Sequence, residues 1–315
     1  MNAVLGGARE CRSHPQTFPA CPVYHLSRTE QTEALVAGFR QKLRPRKILV
    51  AGPYTGEFGH EFAFCAKVLP RTRHYREVYV ISYPGRDVLY PGCRLVAHDI
   101  PLEAAGYGHG RFGPKAHREI ARRLLPHLAP DTYDLFTTVV ANIRLFKKSL
   151  FESRHEPFVH ASQPNDATDI LFHFRAIRKH GPDRRPDFNG VHADDLWRAC
   201  AALGLRCACI GSPEYAYCPP GCLDFRTEDL ARTVGRIGAT RLVVGQQSGP
   251  THLANHCGKP SLVWAERRLK AGLRMNPLRV PIFAVTDATW LPTTEEIVEK
   301  IKMVWREARY GPLPK

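Results

Sequence analysis

The segment Gly245–His252 combines residue types that could bind an anion at the start of a helix. Pro250 has no N–H to lose and a fixed φ, which suits the first turn of a helix, and Ser248 is placed to cap it. Free N–H groups at a helix N-terminus attract phosphate, and His252 would add a donor one turn further on. Gly249 would let a ligand approach the backbone closely. The same residues also fit an ordinary strand–loop–helix turn, so the pattern leaves both readings open.

Basic side chains follow a second predicted strand, Ile170–Phe174. Arg175 stands at the end of this strand, and Arg178 and Lys179 follow in the loop. Cations here could clamp a diphosphate and stabilise a leaving nucleotide, as Mg²⁺ does in other enzymes. The sequence has no Asp-x-Asp motif of the kind that holds a metal-bound nucleotide. It therefore predicts chemistry without a metal ion, although loops rich in Arg and Lys are also common on surfaces.

The elements that must position these residues form two successive series of alternating strands and helices. In the first half the pattern predicts strands at 47–53, 78–82 and 94–98, and helices over 57–69 and 114–128. In the second half it predicts strands at 170–174, 205–210, 241–245 and 261–264, and helices over 192–203, 228–237, 250–256 and 293–309. Such alternation is typical of mostly parallel sheets covered on both faces. The predicted fold class is α/β, with two Rossmann-like domains facing a cleft that binds ligand.

The charge balance predicts an anionic partner. The 315 residues contain 45 Lys and Arg against 30 Asp and Glu, a formal net charge of +15. A charge of this size favours association with a polyanion or an anionic membrane surface, or it only keeps the protein in solution. No apolar run approaches the roughly 20 residues that span a bilayer, and the N-terminus lacks the apolar core of a secretory signal. The sequence therefore predicts a cytoplasmic protein, with peripheral contact at the inner membrane face left open.

The ten cysteines do not predict a disulfide framework or a metal site. Cys207 and Cys209 alternate with apolar residues in a predicted strand, which favours core thiols. Cys218 and Cys222 bracket a Pro-Pro-Gly turn, and their spacing is not that of paired C-x-x-C zinc ligands. We predict no metal ligands, and the role of Cys218 and Cys222 stays open.

The run Gly245–Ala254, followed by Gly258-Lys-Pro-Ser-Leu-Val-Trp264, resembles the D-[ST]-G-P-x-H-L-A…G-x-P-x-x-x-L block of the heptosyltransferase-like glycosyltransferases. These enzymes use ADP-heptose and act on lipopolysaccharide. The resemblance implies the GT-B fold, in which two Rossmann-like domains face each other and the C-terminal one holds the sugar nucleotide. Gln247 stands where the family has an acidic residue, which leaves the sugar open. The residues that the resemblance assigns to the nucleotide are Arg175, Lys179, Ser212, Gln247, Ser248, Gly249, Pro250 and His252.

The segment Gly52–Glu61 is similar to a G-D-x-[LV]-H element of the same family. Gly56-Glu57 matches its Gly-Asp, and His60 matches its His. The resemblance implies that Glu57 is the base that activates an acceptor hydroxyl, a role suited to a carboxylate at a helix start beside a cleft. Glu61 is an alternative base one turn further on. Glu57 could instead only stabilise the helix through its dipole.

These observations together predict a metal-independent hexosyl- or heptosyltransferase with a nucleotide-sugar donor and no cofactor. Its acceptor would be a polyanionic envelope glycolipid or saccharide, or, as an alternative, DNA with hydroxymethylated bases. A sugar-nucleotide-binding module without transfer activity and an epimerase-type relative are the remaining alternatives. The predicted parts are an extension (1–45), an acceptor domain (46–160), a nucleotide-sugar domain (161–292) and a C-terminal helix (293–315) that packs back toward the first domain.

Overall fold

The computed structural model describes residues 48–56, 58–101, 114–137, 156–158, 167–176, 190–265, 276, 278–286 and 292–307. The chain separates into two compact units, Met1–Pro45 and Arg46–Lys315, and every described residue belongs to the second. Among the helices of these residues, none combines the length and the apolar character needed to cross a membrane.

Four strands of the first half form one parallel sheet: β1 (Ile48–Ala51), β2 (Glu77–Ser82), β3 (Arg94–Ala97) and β4 (Tyr133–Phe136). Their order across the sheet is β3-β2-β1-β4. Helix α1 (Phe58–Thr72) and helix α2 (Pro114–Leu124) belong to the same half, with a short 3₁₀ helix at Asp87–Leu89. The sequence reading extended α2 to residue 128. The helix ends earlier because Pro126 disfavours helical backbone in the residue before it.

The second half forms a larger sheet around β5 (Ile170–Arg175). Its other strands are β6 (Cys207–Cys209), β7 (Ala216–Tyr217), β8 (Leu223–Asp224), β9 (Leu242–Gln246), β10 (Ser261–Ala265) and β11 (Ile282–Thr286). The helices are α3 (Gly190–Ala202), α4 (Leu230–Ala239), α5 (Gly249–His256) and α6 (Thr294–Glu307). The sequence reading did not include β4, β7, β8 or β11.

The strand order of the second sheet identifies its topological switch point. The strands run β11-β10-β9-β5-β6-β8, all parallel, while β7 pairs antiparallel with β5. Leaving β7 aside and counting along the chain, this is the 3-2-1-4-5-6 order of a doubly wound Rossmann sheet. The order reverses between β5 and β9, and doubly wound sheets bind ligands beyond the carboxyl ends of the strands at such a point. The predicted α/β class with parallel sheets is confirmed.

The core clusters show which helices join the two sheets. One cluster contains Phe62 and Val68 of α1 together with Val243 of β9 and Leu253 of α5, so α1 and α5 pack between the sheets. A second cluster covers the opposite face of the larger sheet. Four side chains of α6 are fully buried in that second cluster: Ile297, Ile301, Val304 and Trp305.

Helix α6 therefore corrects one expectation. The sequence reading had the C-terminal helix pack back toward the first domain, whereas residues 294–307 complete the core of the second sheet. Its apolar side chains repeat at helical spacing on one face, and that face is buried against α3 and β11. Residues 308–315 lie outside the described part of the chain.

Candidate functional site

Helices α1 and α5 begin side by side. The space beside the Cα of Gly249 is filled from α1, since a Cβ there would lie 2.7 Å from Cδ1 of Phe58. A Cβ on Gly59 would lie 3.6 Å from the Cα of Gly249. Further along both helices the rings of Phe62 and His256 have centroids 5.1 Å apart, so the helices run in the same direction. Two helix N-termini with partial positive charge therefore meet at one place, which favours an anion.

The role of Gly249 differs in detail from the sequence reading. The expectation was a close approach of the backbone to a ligand, but the neighbour that requires a glycine here is the ring of Phe58. Gly249 lets α5 lie directly against α1. The close helix contact brings the first turns of both helices together.

Ser248, the residue before α5, is bonded to the switch point of the larger sheet. It has extended backbone, and its N–H donates to Oγ1 of Thr251 at 3.0 Å. Its own Oγ lies 2.9 Å from Nδ1 of His173, a buried residue of β5. His173 is paired with Gly245 of β9, where a Cβ would lie 2.6 Å from the His173 carbonyl oxygen. The serine hydroxyl is thus held at the carboxyl ends of β5 and β9.

Burial, with a smaller contribution from the nearby charge of Arg175, lowers the pKa of His173 to about 4. The imidazole is therefore neutral at pH 7 and has one nitrogen that can accept a hydrogen bond. A Cβ on Gly211 would lie 2.9 Å from Cδ2 of the ring, so this glycine encloses the imidazole from the other side. His173 is a site residue that the sequence reading missed. Strand alternation places His173 on the same face as Leu171, but only the pairing of β5 with β9 brings it to Ser248.

Arg175 ends β5 at the same edge. Its backbone N–H donates to Oε1 of the buried Gln246 at 3.0 Å, which fixes the end of β5 against the end of β9. The side chain of Arg175 is half-buried at the carboxyl end of the strand. The predicted cation therefore ends the strand next to β9, the strand that leads into α5.

His252 lies in an environment that the sequence reading did not expect. It was predicted to face a ligand and not the core, but only 9% of it is exposed. The start of α1 covers it and brings His60 close by, because the two helices pack together. Burial, with a smaller contribution from the neighbouring His60, lowers the pKa of His252 to about 4. His60 itself is exposed.

Glu61, the alternative base, is enclosed in a polar network. Its Oε1 accepts from the hydroxyls of Ser82 at 2.5 Å and Tyr90 at 3.0 Å, and its Oε2 lies 3.5 Å from Nε of Arg86. Burial raises the pKa of this carboxyl, while Arg86 and the two hydroxyls oppose the shift. The Arg86 guanidinium in turn lies 4.3 Å over the ring of Phe58. Glu61 has no exposed surface, and these contacts hold the first turn of α1 against Ser82, Arg86 and Tyr90.

The other predicted residues divide into two groups. Ser212 follows β6 at the same edge of the sheet, and its carbonyl accepts from the N–H groups of Tyr215 and Ala216. Gln247 and Pro250 flank Ser248 and are half-buried. Glu57 and Lys179 lie outside the described residues, so their predicted roles remain predictions.

A group of three thiols lies elsewhere on the larger sheet. Cys209, Cys218 and Cys222 have sulfur atoms within 4.8 Å of one another, close enough to share a metal ion. The sequence reading, which predicted no metal ligands, judged Cys209 and the Cys218/Cys222 pair separately by their spacing. The parallel pairing of β6 and β8 brings them together.

Comparison with known proteins identifies the fold. No protein-family model and no curated protein matches the chain. Among solved structures, the E. coli heptosyltransferase WaaC with ADP has 12% identity and a TM-score of 0.52, covering 81% of this chain and 99% of that one. A glycosyl transferase family 9 protein from Veillonella parvula has 10% identity and a TM-score of 0.51, covering 83% of this chain and 97% of that one.

A third similar structure is the iron-containing dodecameric glycosyltransferase TibC from enterotoxigenic E. coli. It has 15% identity and a TM-score of 0.55, covering 84% of this chain and 78% of that one. At these identities the likeness concerns the fold alone. The resemblance to heptosyltransferases predicted from the motifs is confirmed at that level.

Proposed function

We propose that the protein is a GT-B glycosyltransferase that moves a sugar from a nucleoside-diphosphate sugar to a hydroxyl of a polyanionic saccharide or glycolipid. The observation that carries this proposal is the position of Ser248. Its hydroxyl is held by His173 at the switch point of a Rossmann sheet, where two helix N-termini and Arg175 converge. The fold likeness to heptosyltransferases supports the same reading.

The diphosphate of the donor would lie at the start of α5. Free N–H groups of the first helical turn and the Ser248 hydroxyl would donate to its oxygens. Arg175, and Lys179 on the following loop, would neutralise its charge, and Ser212 and Gln247 would line the same edge. When the bond between the sugar and the diphosphate breaks, the leaving nucleotide gains negative charge. Arg175 and the helix dipole would stabilise that charge, so the proposed reaction uses no metal ion.

The acceptor would approach from the first sheet, with Glu57 as the base. Glu57 directly precedes α1, whose first residues Phe58 and Gly59 contact Gly249. A carboxylate here would take the proton of the acceptor hydroxyl while its oxygen forms the new bond to the sugar carbon. The enclosed contacts of Glu61 support a positional role for it and leave Glu57 as the preferred base. His60 at the start of α1 would lie beside the same cleft, with the buried His252 of α5 next to it.

The two sheets would belong to domains that bind different substrates. Residues 46–160 would form the acceptor domain and 161–292 the nucleotide-sugar domain, in the GT-B manner. Helix α2 presents an exposed basic face with Lys115, Arg118 and Arg122 at helical spacing. That face supports an anionic acceptor, such as a phosphorylated envelope glycolipid reached at the inner face of a membrane.

One observation favours a second function. Gln247 replaces the acidic residue of the family motif, and a protein that binds the nucleotide sugar without transferring it would tolerate such a loss. The two functions share the nucleotide site and differ only in turnover. An acceptor-dependent release of nucleoside diphosphate separates them.

The test is a thermal-shift screen of the full chain against ADP, UDP, GDP, CDP and TDP and their sugars. A ligand at about 100 times its Kd should raise the free energy of unfolding by about 2.7 kcal/mol. The donor identified in this way is then incubated with envelope saccharide fractions, and transfer is followed by mass spectrometry. A screen in which no nucleotide stabilises the protein would rule out both functions. Binding without acceptor-dependent turnover would select the second.

A further inference from the structure

The three thiols of Cys209, Cys218 and Cys222 lie at the spacing of metal ligands. The sulfur atoms of Cys209 and Cys222 are 3.7 Å apart, and all three lie within 4.8 Å of one another. Two sulfurs that each lie about 2.3 Å from a zinc ion at the tetrahedral angle are about 3.8 Å apart. The distance observed between Cys209 and Cys222 therefore already matches a shared tetrahedral ion.

The backbone around the three cysteines holds this arrangement from several sides. Cys209 ends β6, and Cys222 directly precedes β8, which pairs with β6. Between Cys218 and Cys222 the chain turns tightly, with the N–H of Cys222 donating to the Pro219 carbonyl at 3.0 Å. Gly221 adopts a positive φ of 87°, and a Cβ there would lie 2.9 Å from the ring of Trp197 in α3. The turn is thus fitted against a helix.

A side-chain contact joins the two ends of the segment 216–224, which contains Cys218 and Cys222. The guanidinium of Arg226 donates to both carboxylate oxygens of Asp224, at 2.8 and 2.6 Å, and to the carbonyl of Ala216 at 2.6 Å. Ala216 precedes Cys218 by two residues and Asp224 follows Cys222 by two. Strand pairing, a tight turn and the Arg226 contacts therefore hold the three thiols together.

We propose that Cys209, Cys218 and Cys222 bind zinc, a thiophilic metal ion, with water as the fourth ligand. Cys209 is buried, and Cys218 and Cys222 are half-buried. The ion would therefore lie at the protein surface, with Cys209 as its ligand from the core and with solvent access on the side of the other two thiols. Soft thiolate ligands select zinc or iron over Mg²⁺ or Ca²⁺. The site is separate from Ser248 and Arg175.

The ion would stabilise the edge of the sheet that carries the candidate nucleotide site. β7 pairs with β5 so that Ala216 lies opposite Arg175 and Tyr217 opposite Phe174. Cys218 follows this pairing directly, and Ser212 precedes it on the same connection from β6. A metal ion joining Cys218 to Cys209 and Cys222 would fix the segment against which the end of β5 is paired.

The experiment uses full-length protein purified under reducing conditions in the presence of zinc. We expect one equivalent of metal by plasma mass spectrometry, and after exchange with Co²⁺ a thiolate-to-cobalt charge-transfer band in the near ultraviolet. Cys218→Ser and Cys222→Ser should lose both the metal and the band. Cys93→Ser is the matched control, since Cys93 is also a half-buried free thiol but lies outside the cluster. It should keep both.

A chelator gives a readout that needs neither activity nor a variant of the buried Cys209. Chelation should lower the midpoint of thermal unfolding of the wild-type protein and of Cys93→Ser, but leave Cys218→Ser unchanged. The proposal is overturned if reduced wild-type protein binds neither Zn²⁺ nor Co²⁺, if Cys218→Ser retains the metal, or if mass spectrometry finds a Cys209–Cys222 disulfide instead. Nucleotide binding is measured separately, so failure here leaves the proposed function untouched.

Discussion

The Oγ atom of Ser248 lies 2.9 Å from Nδ1 of His173, which joins the cap of α5 to the adjacent strand β5. The contact fixes the orientation of the hydroxyl at the start of α5, and Ser248 also closes a capping box with Thr251. In the proposed nucleotide site, the buried and neutral His173 would support this orientation of the hydroxyl.

The buried histidines predict a pH-dependent stability. The pKa of His173 is about 4 in the folded chain against an ordinary value of 6.5, so on acidification the unfolded chain takes up a proton first. The free energy of unfolding should fall as the pH is lowered from about 6.5 toward about 4, by up to about 1.4 kcal/mol per pH unit for this residue. His173→Asn keeps a polar partner for Ser248 but removes the titration. Urea unfolding at several pH values should give a shallower slope for this variant.

The control for this measurement is His74→Asn. His74 is exposed, so its replacement should leave the slope at the wild-type value. Equal slopes in wild type, His173→Asn and His74→Asn would show that His173 is not buried as a neutral group.

Substitution of the two candidate bases, Glu57 and Glu61, should lower sugar transfer to different extents. Glu57→Gln should keep nucleotide affinity and lower transfer by roughly 10²–10⁴, the usual contribution of a positioned base. Glu61→Gln should have a much smaller effect on transfer, because its amide oxygen can still accept from Ser82 and Tyr90. Glu61→Ala leaves both hydroxyls without that acceptor and should cost about 1–3 kcal/mol of stability. Turnover numbers and urea unfolding of the three variants check this, and near-normal turnover in Glu57→Gln would reject it as the base.

The contact between α1 and α5 predicts a contrast between two glycines. A Cβ at position 249 would lie 2.7 Å from Phe58, whereas at position 59 its nearest neighbour would be 3.6 Å away. Gly249→Ala should therefore cost about 1–3 kcal/mol by overpacking, more than the roughly 1 kcal/mol that alanine gains in a helix. Gly59→Ala should be neutral or stabilising. Chemical unfolding measures both.

A double variant tests the cause of that contrast. Phe58→Leu removes the ring that Gly249 accommodates, so it should recover part of the stability lost in Gly249→Ala. If the two changes instead add independently, the loss in Gly249→Ala does not come from Phe58.

The basic face of α2 predicts a salt-sensitive acceptor interaction. Replacing Lys115, Arg118 and Arg122 with glutamine should weaken acceptor binding at low salt and flatten its salt dependence, since exposed charges are screened within about 10 Å at 0.1 M salt. Nucleotide affinity should not change. Acceptor affinity that is equal in wild type and variant across a salt series would assign the positive charge to solubility alone.

The sequence predicted the alternation of elements and the strand–loop–helix turn at Ser248, because both are local patterns. It could not predict which strands are neighbours, and that is where the misses lie. His173 acquires its role only because β5 pairs with β9, and Cys209 joins Cys218 and Cys222 only because β6 pairs with β8. Both relationships are long-range, and no local pattern encodes them.

Other differences have physical causes in the packing. β4 contains Asp134, whose carboxylate accepts from the hydroxyl of Tyr75 at 3.0 Å, and this tertiary contact is not visible in the local sequence pattern. Burial of His252 arises from the approach of α1, which the separate periodicities of the two helices do not reveal. The fold class was predictable from the sequence, and the arrangement of side chains at the site only in part.

The most direct test of the account is calorimetric titration of the nucleotide selected by the screen into wild type, Ser248→Ala, Arg175→Ala and Arg206→Ala. Arg206 is an exposed arginine at the opposite, amino end of the same sheet, bonded to Asp169 and the Ala167 carbonyl. Each lost bond to a charged phosphate is worth about 1.5–3 kcal/mol, so Ser248→Ala and Arg175→Ala should bind roughly 10- to 100-fold more weakly. Arg206→Ala should bind like wild type. Affinities within a factor of about two in all four proteins, against that expected loss, would place the nucleotide elsewhere.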